Sequence, residues 1–215
     1  MKKKKLRILP IFNNFHTGKD FDGSLLHVIL NDTAKRKFII HQLVDTLTHY
    51  QLQGINIDFE ELNEKTNEPL TEFQKELYQA LHPLGMTVTM DVAVKNDDYD
   101  YEKLSLYNDY IILMAYDQFS KSSKAGPISA QKWIEEALDW TAAKIESEKI
   151  IMGIAGYGYE WFKTEKGKDT AKEVTYNDAI NKAKAVNAIV DYDNDSYNLH
   201  YSFIEEKKIT HTSHF

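Results

Sequence analysis

Short runs of β-branched and apolar residues alternate along this chain with longer segments of helical periodicity, and this alternation constrains the fold more than any other feature. It is typical of βαβ units, in which helices join parallel strands. Strands buried on both faces are apolar along their length, so we expect these runs to form one parallel sheet. The five runs cover residues 6–12, 54–59, 87–94, 110–116 and 149–155.

The remaining segments predict helices and a tail of different character. Helical periodicity is present at about 33–50, from about 71, at about 129–145 and at about 175–187. Thr71 with Gln74, and Thr175 with Asp178, form two capping boxes, which predict that helices begin there. The tail from 189 to 215 is rich in Asp, Asn and Tyr, and we expect hairpins or an insertion in it.

The length of the chain narrows the fold class. An α/β fold is predicted, with a (β/α)8 TIM barrel as the expected architecture and an open, doubly wound sheet as the alternative. The 215 residues, 42% of them hydrophobic, suffice for one buried core, so we expect a single domain over residues 1–215. Because a complete barrel takes about 250 residues, we expect a truncated one.

Charge and composition exclude several classes of partner. The net charge is −7, and five of the basic residues lie within the first seven positions, so the rest of the chain has no basic surface for nucleic acid. No apolar stretch approaches the ~20 residues of a membrane span. Arg7 and Pro10 interrupt the first apolar run, so no signal peptide is visible. The chain has no cysteine and thus no disulfide framework.

The second strand run carries the most informative residues, Gly-Ile-Asn-Ile-Asp-Phe-Glu-Glu at 54–61. Side chains alternate along a strand, so Asn56, Asp58 and Glu60 point to one side, while the residues between them are aliphatic or aromatic. An edge strand with a wet face is the plain alternative. Asp58 and Glu60 are only two residues apart on one face, and carboxyl groups at this separation disfavour simultaneous ionisation. This raises the pKa of one of them and keeps a proton available for general acid catalysis.

This segment resembles the DGxDxDxE signature of family 18 glycoside hydrolases, the chitinases and related N-acetylglucosaminidases. Gly54, Asp58 and Glu60 occupy matching positions, whereas Gln53 replaces the first Asp and Asn56 the second. An Asn at that second position is similar to the spore-wall-hydrolase branch. The wider sequence looks closest to hydrolase domains found beside polysaccharide deacetylase and glycosyltransferase modules, so the resemblance implies fused or adjacent domains of that kind.

Two further motifs support the resemblance in the right order. Met114-Ala115-Tyr116-Asp117 matches the family's MxYD after the sixth barrel strand, and residues 153–158 resemble its GxPxYG after the seventh, with Ala155 in place of Pro. Asn13 is similar to a residue of the third-strand motif. The five predicted strands would then be the third to seventh of the barrel. We expect a chain with only these strands to be aggregation-prone or weakly active.

The resemblance implies a substrate-assisted retaining mechanism. Glu60 would protonate the glycosidic oxygen, and the 2-acetamido carbonyl of the substrate would attack the anomeric carbon. Asp58 would accept a hydrogen bond from the acetamido N–H, and the Tyr116 hydroxyl would donate one to the carbonyl oxygen. Since Asn56 cannot share a proton, Asp58 is expected to stay ionised. Neither a metal nor an organic cofactor is called for.

The resemblance also implies the substrate and its contacts. The partner would be an N-acetylglucosamine-containing polysaccharide, chitin-like or peptidoglycan-like, and this substrate class suggests an extracellular or cell-surface location. Two alternatives stay open: a catalytically impaired carbohydrate-binding fragment of the same family, and an unrelated α/β enzyme. The substrate-binding residues implied are Asn13, Asn56, Met114, Asp117, Tyr157 and Trp161.

Overall fold

The computed structural model of the chain describes residues 6–16, 20–62, 68–163, 169–205 and 209–215. These residues fold as two compact units. The first unit comprises Met1–Met114 and Trp140–Ile151, and the second comprises Ala115–Asp139 and Met152–Phe215. The expectation of one domain over the whole chain stays a prediction.

A five-stranded sheet forms the framework of the first unit. Its order is β1-β2-β3-β4-β5, and the pairs β1/β2, β2/β3 and β3/β4 are parallel. All five predicted strands are thus confirmed. Among the described residues the sheet has two ends, at β1 and β5, and does not close on itself. The strands are β1 (Ile11–Asn13), β2 (Gly54–Asp58), β3 (Thr87–Ala93), β4 (Tyr110–Met114) and β5 (Ile150–Gly153), the last leading into the second unit.

Six α-helices accompany the strands in the described part of the chain. Asp32 caps the second helix, accepting hydrogen bonds from two backbone N–H groups at its start. No helix among the described residues is long and apolar enough to cross a membrane. The helices are α1 (Gly23–Leu30), α2 (Thr33–His49), α3 (Glu68–Leu81), α4 (Tyr101–Ser105), α5 (Gln131–Ala142) and α6 (Tyr176–Ala185).

One predicted helix start is wrong. Helix α3 begins at Glu68, and Thr71, the expected N-cap, is buried within its first turns. Gln74, the other half of the expected capping box, is fully buried and donates from Nε2 to Asn108 Oδ1 at 2.6 Å. Both side chains are therefore part of the interior contacts of the helix. The second predicted box is confirmed, since Thr175 Oγ1 accepts from the Asp178 N–H at 3.1 Å.

The core of the first unit lies on one face of its sheet. Alternate residues of β2, β3 and β4 are buried there, each stabilising the fold by about 1.5–3 kcal/mol. Because side chains alternate, the residues between them share the opposite face, which carries the polar groups of interest. The buried strand residues are Ile55, Ile57, Val88, Met90, Val92, Ile111 and Leu113, each at most 1% exposed.

Gly54 fixes how closely β2 and β3 approach. It pairs with Thr87, and a Cβ atom on Gly54 would lie 2.0 Å from the Thr87 carbonyl oxygen. Real Cβ atoms do not come so near to backbone, so only glycine fits at this position. The first residue of β2 thereby sets the distance between β2 and β3 for the polar residues that follow, Asn56 and Asp58.

The second unit contains an antiparallel sheet in the order β7-β6-β10-β9-β8. The hairpins expected after residue 189 are confirmed. Tyr157 and Gly158, the last two residues of the segment that resembles GxPxYG, begin strand β6. The strands are β6 (Tyr157–Lys163), β7 (Asp169–Thr175), β8 (Asp191–Asp193), β9 (Asn198–Glu205) and β10 (Ile209–His214).

Candidate active site

Polar side chains of β1, β2 and β3 share the sheet face opposite the core. The register pairs Asn13 with Asp58 and Asn56 with Thr89, and paired residues of parallel strands point to the same side. The predicted residues Asn13, Asn56 and Asp58 thus lie on one face. Met114 ends β4 in register with Ala93 of the same sheet.

Asp58 is the most constrained carboxyl group of this face. Burial raises its pKa, and side-chain hydrogen bonds from Asn13 and Glu60 act in the opposite direction by stabilising the ionised form. A hydrogen bond between two carboxyl groups needs a proton on one of them, and because this bond favours the ionised form of Asp58, Glu60 is the donor and Asp58 the acceptor. The Asp58 Oδ1 atom is buried and has no hydrogen-bond partner among the described residues. Burial, and not the expected repulsion by Glu60, is the main influence on Asp58.

Glu60 lies just beyond β2, where its backbone is held from both sides. The Glu60 N–H donates to Asn14 Oδ1 at 3.0 Å, and Asn14 Nδ2 donates to the Glu60 carbonyl oxygen at 2.9 Å. The hydroxyl of the buried Tyr99 donates to the Phe59 carbonyl oxygen at 2.7 Å. Glu61 then takes the left-handed backbone conformation, with φ 57°, so the chain turns directly after the carboxyl group. Sequence analysis missed Asn14 and Tyr99.

Phe59 anchors the same segment on the core side. Its side chain is 2% exposed, and its ring lies 5.7 Å from that of Phe12 and 5.5 Å from that of Phe73, measured between centroids. Alternation then requires Asp58 and Glu60 to point away from the core. The packing of one aromatic residue therefore directs the carboxyl groups on either side of it.

Asp91, on β3, is a second partly buried carboxyl group, which sequence analysis missed. Asn56 Nδ2 donates to Asp91 Oδ2 at 2.7 Å, and Thr89 Oγ1 donates to Asn56 Oδ1 at 2.7 Å. Burial and the nearby charge of Asp58 raise the pKa of Asp91 to about 6, while the Asn56 hydrogen bond opposes the shift. The prediction of an entirely apolar strand at 87–94 is wrong at this residue. One acidic residue within a buried strand was the available signal.

In the second unit, three more predicted residues form a group of their own. The Tyr157 hydroxyl donates to Asp117 Oδ1 at 2.7 Å, and the rings of Tyr116 and Tyr157 meet edge to face with centroids 6.3 Å apart. Asp117 adopts the left-handed conformation, with φ 59°. Burial and the hydrogen bond to Asp117 raise the pKa of Tyr157. The MxYD segment and Tyr157 are therefore linked within this unit.

Trp161 occupies a core position in the second unit. Its side chain is 7% exposed, and its indole N–H donates to the Ser120 carbonyl oxygen at 3.1 Å. The rings of Tyr159 and His214 pack edge to face against it, with centroids at 5.5 Å and 5.9 Å. The predicted contact of Trp161 with substrate stays a prediction, and its packing is that of an interior residue.

Comparison with known proteins identifies the family. The sequence matches the description Glycosyl hydrolases family 18 over residues 2–213. The uncharacterized glycosylase YvbX of Bacillus subtilis (strain 168) is 31% identical over 221 residues, which cover 98% of this chain and 63% of YvbX. Human di-N-acetylchitobiase is 32% identical over 154 residues, covering 65% of this chain and 40% of that protein.

A solved structure agrees with these sequence matches. The Bacillus cereus spore cortex-lytic enzyme SleL superposes with a TM-score of 0.86 at 25% identity, over 95% of this chain and 49% of SleL. The chain thus spans between 40% and 63% of the length of these three proteins. Since the family match runs over almost the whole sequence and includes β2 and the Glu60 that follows it, the chain belongs to family 18 of the glycosyl hydrolases.

Proposed function

We propose that this chain hydrolyses β-linked N-acetylglucosamine-containing polysaccharide by a substrate-assisted retaining mechanism, with Glu60 as the acid and base. The observation that carries the proposal is the hydrogen-bonded pair of Asp58 and Glu60 at the carboxyl end of β2. One buried oxygen of Asp58 lacks a partner among the described residues, so a donor on a substrate would satisfy it. Family membership supports a (β/α)8 barrel as the framework of the enzyme.

In the first step, Glu60 transfers its proton to the glycosidic oxygen as the bond from that oxygen to the anomeric carbon breaks. The 2-acetamido carbonyl oxygen of the sugar forms a new bond to the anomeric carbon and yields an oxazolinium ion. Asp58 accepts a hydrogen bond from the acetamido N–H, and its negative charge stabilises the cation. In the second step, Glu60 takes a proton from water, which attacks the anomeric carbon and opens the oxazolinium ring. Two inversions give net retention.

The supports of Glu60 explain how this chemistry could be positioned. The acid must reach the glycosidic oxygen within hydrogen-bond distance, so small displacements of its backbone reduce the rate. Asn14 holds both backbone groups of Glu60, and Tyr99 holds the carbonyl group of the residue before it. The acid therefore lies on a fixed segment, although it is outside the strand itself.

The substrate class rests on the 2-acetamido requirement and on the names of the relatives. Those names refer to di-N-acetylchitobiose and to spore cortex, so we propose a glycan of the chitin or peptidoglycan type. Such polysaccharides lie outside the cytoplasmic membrane, and we accordingly propose an extracellular or cell-surface location. Tyr116, Asp117 and Tyr157 keep their predicted substrate roles as part of this proposal.

The test compares the wild type with Glu60→Gln on N-acetylglucosamine oligomers and on peptidoglycan fragments. The wild type should release reducing ends, whereas Glu60→Gln should retain less than about 5% of this activity and bind oligomers within a few-fold, since it keeps size and polarity without a transferable proton. Fully deacetylated oligomers should not be cleaved. Glu61→Gln, which removes the adjacent carboxylate, is the matched control and should stay active.

The same experiment distinguishes the proposed hydrolase from the alternative, a fragment that binds carbohydrate without hydrolysing it. Such a fragment would bind the oligomers without releasing reducing ends, and Glu60→Gln would change nothing measurable. Cleavage of deacetylated oligomers at the wild-type rate would instead reject the acetamido group as nucleophile. The family match and the retained Glu60 favour the hydrolase.

A further inference from the structure

We propose that Asp91 is a positioning residue for Glu60. Asp91 and Asp58, on adjacent strands, form a pair of carboxyl groups that shares one proton at mildly acidic pH, and Asn56 orients the Asp91 carboxyl group. The inference rests on the proposed function, because Asp91 would act through Asp58 and Glu60. Nothing in the signature residues of β2 requires an acid at this place on β3.

The register of the sheet places Asp91 beside Asp58. Residues Gly54 to Ile57 of β2 pair in parallel with Thr87 to Met90 of β3, so the next residues along are Asp58 and Asp91. Neighbouring strands are about 4.8 Å apart, and paired side chains point to the same side. The charge of Asp58 raises the pKa of Asp91, as this placement requires. The two acids are therefore neighbours across the sheet.

Asn56 holds the Asp91 carboxyl group in a defined orientation. The Thr89 hydroxyl donates to Asn56 Oδ1, which leaves the Asn56 amide N–H groups as donors, and one of them binds Asp91 Oδ2 at 2.7 Å. Asn56 is 6% exposed, so water does not compete freely for these bonds. The Asn56 amide can only donate to Asp91, so a proton that Asp58 and Asp91 share resides on one of these two carboxyl groups and not on Asn56.

The groups that face Asp91 from each neighbouring strand define its charge environment. From β2 they are Asn56, which is neutral, and Asp58, whose negative charge raises the pKa of Asp91. From β4 the register partner is Ile112. Among the described residues no basic side chain shifts the pKa of Asp91. With one proton on the pair, its net charge is −1, and loss of that proton near pH 6 makes it −2.

This second negative charge has a consequence for the acid. Asp58 accepts the hydrogen bond of the Glu60 carboxyl group, so additional negative charge beside Asp58 opposes the loss of the Glu60 proton. The general acid would then remain protonated at a higher pH than with Asp58 alone. Asp91 would in this way extend activity towards neutral pH, without contacting the substrate.

The first measurement follows the Asp58 and Asp91 carboxyl carbons by ¹³C NMR as a function of pH, in the absence of substrate. In the wild type each resonance should titrate in two steps, because the pair shares its protons. In Asp91→Asn the Asp58 resonance should lose the step that it shares with Asp91, and its main titration should move to lower pH. An Asp58 curve that is identical in both proteins would overturn the proposal. Because this readout needs no turnover, an inactive wild type would reject the proposed function and leave this test standing.

The second measurement is the pH profile of kcat/KM. Asp91→Asn should move the alkaline limb to lower pH by about 0.5–1 unit, and the exchange variant Asn56→Asp/Asp91→Asn, which returns one carboxyl group to the same face, should move it back. Val92→Ala is the matched structural control, since it removes buried volume from the opposite face of β3 without changing charge. An equal shift in Val92→Ala would show that Asp91 matters only for packing. If Asp91→Asn does not fold, the exchange variant carries the test, and a limb displaced from that of the wild type would contradict the proposal.

Discussion

Asn14 and Glu60, 46 residues apart in the chain, are joined by two reciprocal hydrogen bonds between the Asn14 amide and the backbone of Glu60, at 2.9 Å and 3.0 Å. The Asn amide carries an acceptor oxygen and a donor nitrogen side by side, so it can donate to the carbonyl group and accept from the N–H group of one residue at once. Through this arrangement the loop after β1 fixes the position of the proposed acid.

Asn14→Ala should therefore lower kcat by roughly 10- to 100-fold, with a smaller effect on KM, because Glu60 would lose its alignment and keep its chemistry. Asn14→Asp retains an acceptor for the Glu60 N–H and should lose less activity. Asn31→Ala removes a comparable amide, the one that binds the His27 carbonyl group at the end of α1, and serves as the control. Steady-state kinetics decide the matter, and an Asn14→Ala variant with wild-type kcat would show that the clamp is dispensable.

The raised pKa of Asp91 predicts how stability depends on pH. Its pKa lies near 6 in the folded protein, against 3.8 ordinarily, so the folded state holds this proton more tightly than the unfolded state. The associated stability is present below pH 4 and is lost as the pH rises through 6. The free energy of unfolding of Asp91→Asn, relative to the wild type, should accordingly rise by about 2–3 kcal/mol between pH 4 and pH 7. Urea unfolding at both pH values measures this, and a constant difference would contradict it.

His214 predicts the opposite dependence in the second unit. Burial, with a smaller contribution from His200, lowers its pKa to about 4. Stability from the neutral ring is present above pH 6.5 and is lost as the pH falls through 4. Between pH 7 and pH 4, the free energy of unfolding of the wild type should thus fall by about 2–3 kcal/mol more than that of His214→Gln.

Trp161 provides the local probe for that prediction, since its ring lies 5.9 Å from that of His214. Its fluorescence should report acid unfolding at lower pH in His214→Gln than in the wild type. The control is His41→Gln, which alters a histidine with a 69% exposed side chain in the first unit. Equal acid sensitivity of all three proteins would mean that His214 is not the responsible group.

Tyr157→Phe tests the hydroxyl that donates to Asp117. The change removes one exposed hydrogen bond and should lower the free energy of unfolding by at most about 1 kcal/mol, and kcat/KM should fall because Asp117 loses its orienting partner. Tyr176→Phe, on the exposed surface of α6, is the matched control and should change neither value. Thermal unfolding and kinetics on the same oligomers check both effects, and a wild-type kcat/KM would contradict the proposed substrate role of Tyr157.

Sequence patterns were sufficient for the five parallel strands, missed helices α1 and α4, and misplaced one helix start. Runs such as 110–116 are apolar over their whole length, and burial on both faces leaves few other structures for them. The start of α3 was misplaced because Thr71 and Gln74 have the side chains of a capping box, whereas tertiary contacts bury both. Pro69, which is favoured in the first turn of a helix, was the better signal.

In the candidate site, too, local sequence patterns predict some residues and miss others. Asp58 and Glu60 follow from alternation along a single strand, so local periodicity reveals them. Asn14, Asp91 and Tyr99 meet them only through the register of neighbouring strands and the loops that follow. Register is specified by packing between segments far apart in sequence, and the period of one strand does not contain it.

Gly54 gives the site a vulnerability that its acidic residues do not reveal. With the Thr87 carbonyl oxygen 2.0 Å from any Cβ atom, even alanine would push β2 away from β3 two residues before Asn56. The hydrogen bond from Asn56 to Asp91 would lengthen, and the carboxyl groups of Asp58 and Asp91 would move apart. The sequence would still contain every proposed catalytic residue. We therefore expect a homologue that keeps the catalytic glutamate but has another residue in place of this glycine to have lost activity. Genome surveys that search only for the glutamate would then count too many active enzymes.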